Sequence, residues 1–75
     1  MSVTILFFGA TAEITGQRKI EMNFVHGLPA REIFVRILER YPELSTHKLL
    51  LSVNHQYSTG NEIIRGGDEI AIFTA

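Results

Sequence analysis

Apolar and polar residues alternate near both ends of the chain and follow a helical period in between. Ser2 to Phe8 (Ser-Val-Thr-Ile-Leu-Phe-Phe) is β-branched and aromatic, which predicts a strand ended by Gly9. Ala10 to Thr15 predicts one helical turn with Gly16 as its C-terminal stop. From Arg18 to Phe24, Ile20, Met22 and Phe24 alternate with Lys19, Glu21 and Asn23, the pattern of a half-buried strand. His26-Gly27-Leu28-Pro29 punctuates the chain before a helix, where Pro is tolerated because its missing N–H would lack an intrahelical partner anyway. Ala30, Ile33, Phe34, Ile37, Leu38 and Tyr41 then form one apolar stripe, which predicts a helix over about Ala30 to Tyr41. Arg31, Glu32, Arg36, Glu39 and Arg40 take the other faces, with Glu32 and Arg36 ordered for an i,i+4 pair. Pro42 stops the helix, because the residue before a proline avoids helical angles.

Leu49 to Asn54 predicts a third strand, with Leu49, Leu51 and Val53 on one side. His55 to Arg65 is polar apart from a short strand or turn at Glu62-Ile63-Ile64, and Gly66-Gly67-Asp68 is a turn. Glu69 to Phe73 predicts the last strand, Ile70 and Ile72 on one side, Ala71 and Phe73 on the other. Two strands joined by a short loop pair as a hairpin, one helix crosses a sheet face, and the last strand lies parallel to the first. That arrangement is an α+β, β-grasp (ubiquitin-like) roll: a mixed four- to five-stranded sheet with one main helix, as a single domain over residues 1–75.

A single helix covers one sheet face. Val3, Ile5, Phe7, Ile20, Met22, Phe24, Leu51, Val53, Ile70 and Ile72 are assigned to the core beneath it, and alternation sends Leu6, Phe8, Ala71 and Phe73 to the opposite face. A Phe side chain buries ~150–250 Å². Two of them beside Leu6 approach the ~300–600 Å² of the largest apolar patch on a typical monomer, which predicts a protein partner on the open face.

Composition narrows the functions available. At 75 residues the chain holds one small core, and with no cysteine it has no disulfide, thiolate metal site or cysteine nucleophile. The lack of cysteine suits a reducing cytoplasm, the expected location. Lys+Arg 7 against Asp+Glu 8 gives a formal net charge of -1, which argues against a nucleic-acid footprint. Ile5-Leu6-Phe7-Phe8 and Leu49-Leu50-Leu51 are too short to span a membrane, and Met1 to Thr4 lack the basic start of a secretory signal.

No residues form a recognisable catalytic constellation. His26, His47 and His55 lack metal-ligand spacing. Ser45, Thr46 and His47 are adjacent in sequence, which suits a turn better than a nucleophile and its base. Asp68 and Glu69, as strand neighbours, point to opposite faces and do not converge on a substrate. Arg18, Lys19 and Arg65 are too sparse for nucleic acid. Gly9 to Gly16 lacks the Lys-Ser/Thr ending of a phosphate loop. These residues describe a small interaction module without an active site or metal site of its own.

Four stretches in order carry a family resemblance. Leu6-Phe7-Phe8 with Ala12-Glu13-Ile14-Thr15-Gly16, then Leu38-Glu39-Arg40-Tyr41-Pro42-Glu43-Leu44, Ser52-Val53-Asn54 and Gly67-Asp68-Glu69-Ile70-Ala71 together resemble the MoaD family, the small subunits of molybdopterin synthase. The thiamin sulfur carrier ThiS shares the fold and the Gly-Asp turn, but it usually lacks the Phe-Phe opening and the Glu-Arg-Tyr-Pro segment. The resemblance implies a β-grasp sulfur carrier in molybdenum cofactor biosynthesis, the sulfur-donor subunit of a sulfurtransferase with no bound cofactor. An E1-like (MoeB-type) activating enzyme would use ATP to adenylate a C-terminal Gly-Gly carboxylate, and sulfur would replace AMP to give a thiocarboxylate. The tail would then enter a MoaE-like large subunit in a hetero-oligomer and donate sulfur to a pterin precursor. Glycine suits such a tail because, with no Cβ, it threads narrow sites in an extended backbone.

In the family the last strand usually runs on through Pro-Pro to Gly-Gly, whereas here Phe73 is followed by Thr74 and Ala75. Gly66-Gly67 precedes the last strand and has no free carboxylate, so it does not replace that tail. Two expectations result: a carrier whose tail lies beyond the sequence given, or a tail-less paralogue serving as a non-catalytic binding or regulatory module for a MoaE-like partner. In both, the expected partner-binding residues are Leu6, Phe8, Ala71, Phe73, Thr74 and Ala75. An unrelated β-grasp binding module is disfavoured, because the matching residues include exposed ones such as Glu13 that the fold does not require.

Overall fold

In the computed structural model, which describes all residues from Met1 to Ala75, β1 (Ser2–Phe7) buries Val3, Ile5 and Phe7 and turns Ser2, Thr4 and Leu6 to the other face. A short helix, α1 (Ala10–Thr15), ends at Gly16, whose φ of 71° is left-handed and whose N–H donates to the Ala12 carbonyl. An L-residue there would cost about 1–2 kcal/mol. β2 (Lys19–Asn23) returns antiparallel to β1, with Ile20 opposite Ile5.

After the two-residue β3 (Leu28–Pro29), α2 (Ala30–Arg40) buries Ala30, Ile33 and Ile37, while Phe34 and Leu38 are half-buried beside them. The first N–H groups of a helix lack intrahelical acceptors. Here Ala30 and Arg31 donate to the carbonyls of Glu62 and Gly60, at 2.8 and 3.1 Å, so a distant loop supplies the missing acceptors. A 3-10 turn over Pro42–Thr46 follows and buries Leu44 completely. Ser45 and Thr46 serve it as turn residues, their hydroxyls donating to the carbonyls of Pro42 and Glu43.

β4 (Leu49–Val53) and β5 (Gln56–Tyr57) form a tight hairpin through Asn54 and His55, both at positive φ. β6 (Ile63–Ile64) pairs with β3, and β7 (Glu69–Thr74) closes the fold. The main sheet has the order β2-β1-β7-β4-β5, with β7 parallel to β1 and the remaining pairs antiparallel. Its core joins α2 to Val3, Ile5, Phe7, Ile20, Ile70 and Ile72, with Ile64 and Leu44 sealing the margins. Met22, Leu51 and Val53, expected in the core, are half-buried against it.

The expected hairpin, crossing helix and parallel last strand are therefore present. The short element expected at Glu62-Ile63-Ile64 is β6, and the 3-10 turn, β5, β3 and the β3–β6 pairing are additions to that outline. Glu32 and Arg36 do not close into an ion pair; the one within 4.0 Å joins His55 and Glu69. Both Glu32 and Arg36 are exposed, where such a contact contributes little against side-chain entropy.

Candidate functional site

The sheet face opposite α2 is divided in two. At one end, Ser2 and Thr4 of β1 donate hydroxyl hydrogen bonds of 2.8 and 2.9 Å to the Glu21 carboxylate of β2. Those bonds, Ser2 first and then Thr4, with the Lys19 charge adding to them, hold the Glu21 carboxyl below its ordinary range. Glu69 lies on the same face, 3.8 Å from the His55 ring, and both side chains are well exposed.

The other end is apolar. Leu6 is opposite Ala71, Ala71 is opposite Ser52, and Ser52 is opposite Tyr57, forming one row across four strands. In the next row Phe73 is opposite Leu50, and the Tyr57 ring lies 6.0 Å from the Phe73 ring. Phe8 continues from β1, its N–H on the Ile72 carbonyl at 3.1 Å. Tyr57 is 72% exposed, Phe8 51% and Leu50 38%, large for side chains of this kind. An open groove of about 430 Å³ runs beside Phe8 between Glu13 of α1 and Arg18, which places exposed Glu13 at the apolar end.

Of the expected partner residues, the structure gathers Leu6, Phe8, Ala71 and Phe73 at this end. Thr74 departs from that group: it follows Phe73 onto the helix side of the sheet, in register with Leu49. Exposed Ala75 extends the ladder through its N–H to the Lys48 carbonyl at 3.0 Å. Leu50 and Tyr57 are members that sequence reasoning missed. Leu50 was legible as the odd residue between Leu49 and Leu51. Tyr57 required recognising Asn54-His55 as the two-residue turn of a hairpin.

Buried Thr11 fixes the apolar end from beneath. Its Oγ1 lies 2.8 Å from both the Phe8 and Ile72 carbonyls, tying α1 to β1 and β7 together. At the opposite end, Asp68 accepts the Arg65 N–H at 2.7 Å and the Asn54 amide at 3.0 Å, while Asn54 Oδ1 accepts the Glu69 N–H. The Arg65 N–H, then Asn54, and more weakly the Arg65 charge hold the Asp68 carboxyl below its ordinary range against some burial. Glu62 is lowered by backbone N–H groups and Ser58 in the same way. Asp68 and Glu62 thus fasten turns, in keeping with the structural reading of Asp68 and Glu69. His26, His47 and His55 are all exposed, and no three metal-ligating side chains converge. No helix is long and apolar enough to cross a membrane.

The sequence model of the ThiS family matches residues 5–75. The chain belongs to the ThiS family. A Caenorhabditis elegans relative, named molybdopterin synthase sulfur carrier subunit, is 32% identical over 60 residues, covering 77% of this chain and 71% of its own. The putative molybdopterin converting factor subunit 1 of Pyrococcus furiosus superposes with a TM-score of 0.90 at 18% identity, over 99% of this chain and 97% of its own. SAMP1 of Haloferax volcanii does so with a TM-score of 0.86, also at 18% identity, over 100% and 96%. At such identities the two structures speak for the β-grasp fold of this ThiS-family chain and for nothing finer. The family match and the molybdopterin synthase relative together bear out the resemblance read from the sequence.

Proposed function

We propose that this chain is a molybdopterin-synthase-type sulfur carrier subunit. The observation that carries the reading is the position of the apolar half-face. Leu6, Phe8, Leu50, Tyr57, Ala71 and Phe73 gather where β7 leads out of the sheet. A partner seated there lies beside whatever follows β7, so one docking event would also aim a tail into the partner's reaction site. The 32% identity to a sulfur carrier subunit supports the same assignment.

In this reading the chain supplies binding and delivery, and its partners supply the catalytic groups. A carboxylate is a poor electrophile, so an E1-like enzyme would adenylate the end of a Gly-Gly tail continuing past Ala75, releasing pyrophosphate from ATP. A sulfur nucleophile would then displace AMP to leave a thiocarboxylate. On a MoaE-like large subunit that sulfur would pass to a pterin precursor. The polar half-face, with Glu21 satisfied by Ser2 and Thr4, would lie at the rim of such an interface.

Titration of the native protein into a MoaE-like subunit, followed calorimetrically, tests the docking half of this reading. Phe73→Asp places a charge at the centre of the patch and is expected to weaken binding at least about 30-fold, on the scale of a central hot-spot residue. Thr4→Lys, which adds a charge in the polar half opposite Glu21 and Glu69, is expected to bind normally. Equal affinity of Phe73→Asp and the native protein overturns the assignment of the face.

A further inference from the structure

We propose that two copies of this chain pair antiparallel through the outer edge of β2, with Lys19 of each opposite Glu21 of the other. The proposal does not rest on the sulfur-carrier reading, because it uses the backbone edge of β2 rather than the apolar half-face. β2 ends the strand order, with no neighbour beyond it. Phe24 N–H donates to the Met1 carbonyl and Phe7 N–H to the Arg18 carbonyl, each at 2.9 Å. That parity turns the backbone groups of Arg18, Ile20, Met22 and Phe24 toward β1. The N–H and C=O groups of Lys19, Glu21 and Asn23 therefore face outward without a partner. β2 contains no proline and keeps an unbroken one-to-one register with β1, so its edge is ready for another strand.

Charge selects the occupant and the register. A two-fold pairing must oppose outward-facing residues, and centres on Ile20, Glu21 or Met22 all do so. Centring on Glu21 opposes it to its own copy, and like charges directly opposite destabilise a sheet. Centring on Met22 opposes Glu21 to Asn23 and gives Lys19 no countercharge on the second copy. Centring on Ile20 gives two Lys19–Glu21 pairs on one face, Ile20 against Ile20 on the other, and four ladder hydrogen bonds. The Ser2 and Thr4 hydroxyls fix the Glu21 carboxylate on that face, and a carboxylate has lone pairs left for a cation. β7 and β4, which hold Phe73 and Leu50, lie inside that margin, so each copy keeps its apolar half-face.

Sedimentation velocity over a concentration series tests the pairing. The native chain is expected to dimerise reversibly. Lys19→Glu and Glu21→Lys, each converting two opposite-charge pairs to like-charge pairs, are expected to weaken it at least about tenfold. An equimolar mixture of the two variants restores complementary pairs and is expected to recover a mixed dimer. Lys19→Glu leaves the Glu21 hydroxyl contacts in place, so it decides the matter should Glu21→Lys fail to fold by circular dichroism. A native chain that stays monomeric throughout, a Lys19→Glu chain that dimerises as strongly as the native one, or folded variants that fail to pair when mixed would each overturn the proposal.

Discussion

Replacing Thr11 tests how the apolar end of the sheet is held. The side chain is fully buried, and its Oγ1 lies 2.8 Å from the carbonyls of Phe8 and Ile72. A hydroxyl has a single hydrogen, so it serves these acceptors by sharing or in turn. Both carbonyls have a second donor: the Phe8 N–H reaches Ile72 at 3.1 Å, and the Thr11 N–H reaches Phe8 at 3.2 Å. Deleting the hydroxyl therefore orphans neither, and the cost is one net hydrogen bond, about 1 kcal/mol, rather than a full desolvation penalty. Thr11→Ser keeps the hydroxyl and loses a buried methyl, about 0.8 kcal/mol. Thr11→Ala loses both, about 2 kcal/mol in sum. With about 4–8 °C per kcal/mol in a domain this small, melting followed by circular dichroism should fall by roughly 5 °C for Ser and 10 °C for Ala. Equal losses in the two variants would refute a role for the hydroxyl. A loss for Ala above about 4 kcal/mol would refute the claim that both carbonyls stay satisfied.

Ile33→Ala, at a fully buried position of α2, is expected to cost about 2–5 kcal/mol in urea unfolding. A cost under about 1 kcal/mol would mean that the helix does not close the core as described. Asp68 has a folded pKa below its unfolded value of about 3.9, so its stabilising effect is full above that value and is lost as pH falls through the folded pKa. The urea midpoints of the native protein and Asp68→Asn should accordingly differ near neutrality and converge in acid, and a constant gap would contradict the turn-fastening role. Tyr57→Ala, which removes the ring beside Phe73, is expected to weaken large-subunit binding about tenfold in calorimetry while changing stability little. Unchanged affinity would exclude β5 from the interface.

Much of the open face was legible because β1 and β7 alternate without interruption. Val3, Ile5, Phe7, Ile70 and Ile72 declare one side, so Leu6, Ala71 and Phe73 fall on the other. α2 was equally plain, since six apolar residues share one stripe and Pro42 stops it. The β4–β5 hairpin was not, because Gln56–Tyr57 is too short to show alternation and only Asn54-His55 marks its turn. Pairing of β3 with β6 joins two-residue segments 36 positions apart at Leu28 and Ile64, a contact that no local pattern encodes. Thr74 was grouped with the site by its place after Phe73, yet strand alternation carries it to the helix side. The anchoring by Thr11 was hidden because a threonine in a helical turn reads locally as polar, and its second acceptor comes from the far end of the chain.

The most direct test of the sulfur-carrier assignment is the intact mass of the native protein before and after incubation with an E1-like activating enzyme, ATP and sulfide. The account predicts a gain equal to exchanging one oxygen for one sulfur, located at the C-terminal residue by fragmentation and absent when ATP is omitted. A mass unchanged in the complete reaction, with the activating enzyme shown to work on a known carrier, would contradict it.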